Sequence, residues 1–162
     1  MLTVALRVGV LLDSRLIALR VGSVRRITGA SPAYLAARGT PSTPDDLAGH
    51  DCISYEGVLA GNAWRFVRDK TEIIVSVQPR LFVSHVEAAC DASRAGIGVA
   101  HVFHHHVAAS IEAGTLVTVL DEFEPAPLPV NLLYTAGRFL PIKVRAFLDV
   151  AAPRLKVQLA RN

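Results

Sequence analysis

Along this chain, short β-rich apolar runs alternate with stretches of helical spacing. The run 4–8 ends at Gly9 and predicts a strand despite Arg7 within it. Runs 16–21 and 24–28 predict two more, divided by Gly22 and Ser23, a pair suited to a hairpin or a bend. Residues 52–55, 64–67, 73–77, 81–84, 116–120 and 130–134 carry the same signature. Arg68, Asp69 and Lys70 form a polar turn that predicts a hairpin between two of these runs. Gly96, Ile97 and Gly98 lead into a further buried strand that reaches Val102 and Phe103.

Helix signals fall between the strands. Ser31 can cap a helix whose first position is Pro32, where a fixed φ helps and a missing N–H costs nothing; Gly39 stops it. Thr43, Pro44, Asp45 and Asp46 repeat the device, with two carboxylates in the first turn where the helix dipole favours them. Residues 85–95 read as a helix with Val86, Ala89, Cys90 and Ser93 inward and Gly96 closing it. Residues 107–113 read as another, stopped by Gly114. A last helix from Pro141 carries Val144, Phe147, Leu148, Ala151 and Leu155 on one face, and Pro153 is expected to kink or end it near Ala152. This alternation predicts an α/β sheet with crossovers. The chain holds no internal repeat and no low-complexity tract.

Composition narrows the class. The chain has 162 residues, 51% hydrophobic and 19% charged, enough for one domain, or a two-lobed one, at ~150 residues per domain. Disorder needs low hydrophobicity and high net charge, and a membrane span needs ~18 consecutive apolar residues; neither pattern occurs. Arg7, Asp13 and Arg15 interrupt the apolar start before it can serve as a signal-peptide core. Cys52 and Cys90 are too few for a disulfide framework, so a reduced, cytoplasmic setting is expected. The net charge of +3 comes from 17 basic and 14 acidic residues, and no basic run exceeds the pair Arg25, Arg26. Duplex binding ordinarily leaves a clustered basic stripe, so direct contact with nucleic acid is not expected.

The order of motifs resembles a known family. Ala30 to Leu35, then Gly39, Thr40, Pro41 and Thr43 to Leu47, resemble the effector-binding (regulatory) domain of LysR-type transcriptional regulators. Further along the chain, Leu6 to Gly9 resemble the family's strand ending in R-x-G, and Trp64 to Phe66 its W-x-F. Val86 to Ala100 resemble its helix followed by a G-x-G strand, Gly114 to Leu120 its G-x-L-V strand, and Val144 to Asp149 its terminal helix. The resemblance covers nearly the whole chain. It implies a type II periplasmic-binding-protein-like fold, with one complete lobe plus part of the second. Residues 1–26 would close the first half of lobe one, 27–132 would form lobe two, and 133–162 would return to lobe one. Family members are about twice as long and start with a winged helix-turn-helix, which is expected to be missing here, so DNA would be reached only through that missing part. The resemblance also implies a small, often carboxylated effector between the lobes. With lobe one incomplete, run 4–8 would present an exposed apolar edge, so a homo-oligomer is expected. No motif calls for a cofactor or catalysis. A stand-alone solute-binding protein and a small enzyme remain the alternative readings.

In open α/β sheets, ligands bind beyond the carboxyl ends of strands, near helix N-termini. That rule selects Ser31, the junction Ser84, His85, Val86, and the pair Val102, Phe103. The resemblance adds Arg7 and Ala136 near the lobe crossings. Arg7 or a neutral His85 can complement a carboxylate. Each has a plainer reading: Ser31 and Ser84 as helix caps, Arg7 as a surface cation, Phe103 as core. His101, His104, His105 and His106 have spacings that could place two imidazoles on one helix face. They lack a nearby Cys, Asp or Glu before Glu112, so no metal is expected and a solvated helix start is. No G-x-S-x-G, H-E-x-x-H or P-loop is present, and Cys52 and Cys90 sit in apolar settings that should raise a thiol pKa.

Overall fold

The computed structural model describes residues 4–12, 15–57, 61–135 and 140–161. The first half of the chain forms β1 (Val4–Val8), β2 (Leu16–Val24), β3 (Arg26–Ala30), α1 (Pro32–Arg38), a 3-10 turn (Pro44–Gly49), β4 (Cys52–Tyr55), β5 (Ala63–Arg68) and β6 (Thr71–Ser76). The second half forms β7 (Pro79–Val83), α2 (Val86–Arg94), β8 (Val99–Phe103), α3 (His104–Glu112), β9 (Val117–Val119), a 3-10 turn (Asp121–Phe123), β10 (Leu128–Thr135) and α4 (Ile142–Leu159). The chain divides into two compact units, residues 1–25 with 127–162, and residues 26–126. The sequence-based division put its second change-over after residue 132, inside β10. In the structure β10 pairs with β2 from Leu128 to Thr135, so the whole strand belongs to the first unit.

In the first unit, β10 lies between β1 and β2 and is antiparallel to both. Gly22 and Ser23 do not break the strand as expected. They lie inside β2, and the break falls at Arg25. Gly22 is required for packing, since a Cβ there would stand 2.7 Å from Cβ of Leu159 on α4. α4 buries Val144, Leu148 and Ala152, a stripe of three residues spaced by four, while Phe147 is half exposed. Of the two outcomes expected of Pro153, a kink or an end near Ala152, the end does not occur: α4 runs on to Leu159. The proline removes one N–H from the ladder, but both Pro153 and Asp149, whose carbonyl loses that donor, lie on the exposed face where water can replace it.

The second unit is built on a five-stranded sheet, ordered β7, β4, β8, β3, β9. β4 runs parallel to β7 and β8, whereas β3 runs antiparallel to β8 and to β9. Strand residues alternate between two cores, the period-two signature of a sheet covered on both faces. Ile27, Ile53, Ala100 and Val102 join Ala89 and Cys90 of α2 and Val107 of α3. Ala30, Cys52 and Val99 join Tyr34 of α1, Leu47 of the 3-10 turn, and Trp64 and Phe66 of the β5–β6 hairpin. That hairpin turns at Asp69 and Lys70, whose φ values of 51° and 64° give the doubly left-handed turn that a two-residue hairpin favours.

Two local devices read in the sequence form as expected. Ser31 Oγ accepts from Tyr34 N at 3.1 Å, and Gly39 N–H closes onto Leu35 O at 2.8 Å. Asp46 Oδ2 accepts from the N–H groups of Ser42 and Thr43, each at 2.8 Å, which lowers its carboxyl pKa. Gly98 explains the second glycine of the G-x-G segment. A Cβ there would collide with the Asp51 carbonyl, which accepts from Val99 N at 2.8 Å where β8 starts.

Candidate functional site

Strand direction decides which residues meet. Because β4, β7 and β8 are parallel, their last residues Tyr55, Val83 and Phe103 lie at one end of the second unit's sheet. β3 runs the other way, so its first residue, Arg26, pairs with Phe103 at that same end. α2 starts after β7 through Ser84 and His85, and α3 starts directly after β8 at His104. Two helix N-termini therefore open there. Their cap positions, His85 and Phe103, make no side-chain cap hydrogen bond. Helix N-termini carry partial positive charge and unpaired N–H groups, which suit an anion.

Ser84 and His85 are exposed, and Ser84 Oγ lies 2.7 Å from His85 Nδ1 rather than capping α2. Val86 is half-buried against the core. Phe103 stacks on the His105 ring, with centroids 5.9 Å apart, and His105 and His106 are in ring contact at 4.1 Å. Burial, then His106 and His104, lower the His105 pKa. Burial and the Arg26 charge lower that of His106, while Glu87 opposes them.

Arg26 is the charged group at this end that sequence reasoning passed over. Its Nη2 donates to Tyr55 Oη at 3.0 Å, and its guanidinium carbon lies 4.8 Å from the Phe103 ring centroid. Its Nε is buried without a partner, and no carboxylate pairs with it among the described residues. Burial opposes its charge, Tyr55 supports it, and Arg65 adds repulsion. Burial also raises the Tyr55 pKa against the Arg26 field. Leaving a buried donor of a charged group unpaired costs on the order of 1–3 kcal/mol, while the ring contact returns about 0.5–2 kcal/mol.

The remaining sequence candidates separate from this cluster. Ser31 follows the last residue of β3 and so lies at the opposite end of the sheet, beside Gly96, its hydroxyl engaged as a cap. Val102 is buried in the core beside Ile27 and Ala100, and by the pleat its neighbour Phe103 takes the opposite face. Arg7 is exposed on β1 of the first unit, in register with Asn131. Ala136 lies outside the described residues.

The histidines also divide. His104 to His106 form the first turn of α3, but His101 belongs to β8, buried under the hairpin, with Nδ1 2.9 Å from Thr28 Oγ1 and its ring stacked on Trp64 at 5.1 Å. Among the described residues, no three His, Cys, Asp or Glu side chains are grouped to hold a metal. Cys52 and Cys90 are buried free thiols, their pKa values pushed by burial up to about 12 and about 11, so neither serves as a nucleophile. No described helix is long and apolar enough to cross a membrane.

Comparison with known proteins agrees with this architecture. The model of the LysR substrate binding domain matches residues 1–156. An uncharacterized HTH-type transcriptional regulator of Haemophilus influenzae is 31% identical over 140 residues, 86% of this chain and 49% of that protein. The regulatory domain of AphB from Vibrio vulnificus superposes with a TM-score of 0.80 at 29% identity, covering 91% of this chain and 72% of the other. The regulatory domain of CrgA, a LysR-type transcriptional regulator from Neisseria meningitidis, gives a TM-score of 0.78 at 29% identity over 97% and 75%. The chain spans about half the length of the curated relatives it matches, such as 49% and 45% of two of them. Its fold is therefore the type II periplasmic-binding-protein-like fold of such regulatory domains, and the chain belongs to the LysR substrate-binding domain family.

Proposed function

We propose that this chain is the effector-sensing part of a LysR-type transcriptional regulator, and that it binds a small molecule without transforming it. One observation carries the reading: the uncapped starts of α2 and α3 converge with Arg26, Tyr55, Ser84, His85 and Phe103 at one end of the second unit's sheet. Donors predominate there. Although Ser84 Oγ lies against His85 Nδ1, both side chains are exposed, and among the described residues His85 has no acidic partner to orient it as a base. A bound effector would favour one arrangement of the regulator over another through differential affinity. DNA would be contacted by a helix-turn-helix outside this chain, in a homo-oligomer in the cytoplasm. Arg7 and Ala136 keep the ligand-contacting role that the family resemblance implies.

The test is a thermal-unfolding screen of small aromatic and aliphatic acids with the ligand recovered afterwards. At least one acid should raise the midpoint in a dose-dependent way and be recovered unchanged. A ligand at a hundred times its Kd adds about 2.7 kcal/mol, a clear shift for a chain of this size. No stabilising acid in the screen, or chemical conversion of the acid that stabilises, contradicts the proposal.

A further inference from the structure

Arg26 is held in place but not neutralised. Tyr55 Oη accepts a hydrogen bond from Nη2, the Phe103 ring covers a face of the guanidinium, and Nε is buried with no acceptor. Five other described arginines pair with acids instead. Arg38 and Arg80 share Asp51, Arg65 takes Glu72, Arg68 takes Asp45, and Arg94 takes Asp91, all with substantial exposure. Arg26 is more buried than any of these five paired guanidiniums and has no acid among the described residues, the reverse of what stability alone would select.

We infer that Arg26 and the Tyr55 hydroxyl form an oxyanion-recognition pair that selects a carboxylate on the effector. A guanidinium stacked on a ring by its face keeps its in-plane N–H groups free for a carboxylate. Tyr55 Oη accepts from Arg26, so its own proton remains available to a second ligand oxygen. Arg26 pairs in register with Phe103, which caps α3, so the same end also offers the amides of that helix's first turn. The ligand class is thus a small monocarboxylate whose apolar body rests near Val83 and Val86, both half-buried at this end.

This inference rests on the sensing role, and its test separates the two. Benzoate and benzamide match in shape and differ in charge. Titration calorimetry of the 162-residue chain should show benzoate binding about tenfold or more tightly than benzamide. Arg26→Met should abolish that preference. Arg26→Lys, which keeps the charge and loses the planar fork, should retain part of it, and Tyr55→Phe should reduce it. Circular dichroism checks that each variant is folded. Absence of benzoate binding to the unaltered chain overturns the inference, as does an undiminished preference for benzoate in both Arg26 variants. If acids still stabilise Arg26→Met as they do the parent, Arg26 is not the selector, while sensing itself stands.

Discussion

His101 shows how one residue ties the fold to pH. Its imidazole is enclosed by β8, Thr28, Trp64 and Phe66, and its Nε2 has no partner. Burial, followed by repulsion from Arg26, holds its pKa well below the ordinary value. Above pH ~6.5 the ring is neutral in both folded and unfolded chains, so it contributes no pH dependence there. Below that value the unfolded chain takes up a proton that the folded one refuses. Stability therefore falls as pH falls, by about 1.4 kcal/mol per pH unit for one proton. His105 and His106, also depressed, act in the same direction but are more exposed. Urea denaturation between pH 7 and pH 5 should show this slope, and His101→Gln should flatten it. An equal slope in the variant would place the effect elsewhere.

At the scale of elements, β1 stands out. It pairs with β10 on one side, and among the described residues no strand covers its other side. Leu6 within it is 55% exposed, so the strand presents both unpaired backbone groups and apolar surface. The 162-residue chain should therefore self-associate through this edge. Light scattering at micromolar concentration should report a dimer or larger species, and Leu6→Lys should shift it towards monomer. A monomeric parent chain would remove edge pairing from the account.

Most elements were legible in the sequence because their signals are local: the Ser31 cap, the Thr43 to Asp46 capping box, the Asp69, Lys70 turn and the period-two strands. One element failed to match where a long-range contact overrode a local cue. Gly22 looked like a break and is instead a clearance for Leu159. Pro153, expected to kink or end its helix, does not end it, because the lost hydrogen bond falls on an exposed face rather than through any long-range contact.

For the whole molecule, the direction of β3 matters most for function. Sequence spacing shows that a strand ends before Ser31 but not which way it runs, so Ser31 and Ser84 looked equivalent. The antiparallel pairing of β3 with β8 sends Ser31 to one end of the sheet and brings Arg26 to the other. Arg26 had no signal of its own beyond its place beside Arg25, which reads as surface charge. Ser84, His85 and Phe103 were legible because strand-to-helix junctions announce themselves in sequence, whereas a pairing direction does not. The scaffold and part of the proposed site were thus readable from local chemistry, and the cation proposed to select the ligand was not.

An amide NMR map of the chain titrated with benzoate addresses this arrangement most directly. Saturable shifts should gather at Tyr55, Ser84 to Val86 and Phe103 to His106, and leave Ser31, Tyr34 and Gly96 unmoved. Shifts centred on Ser31 and Gly96, or no saturable shift at the Arg26 end, would contradict the account.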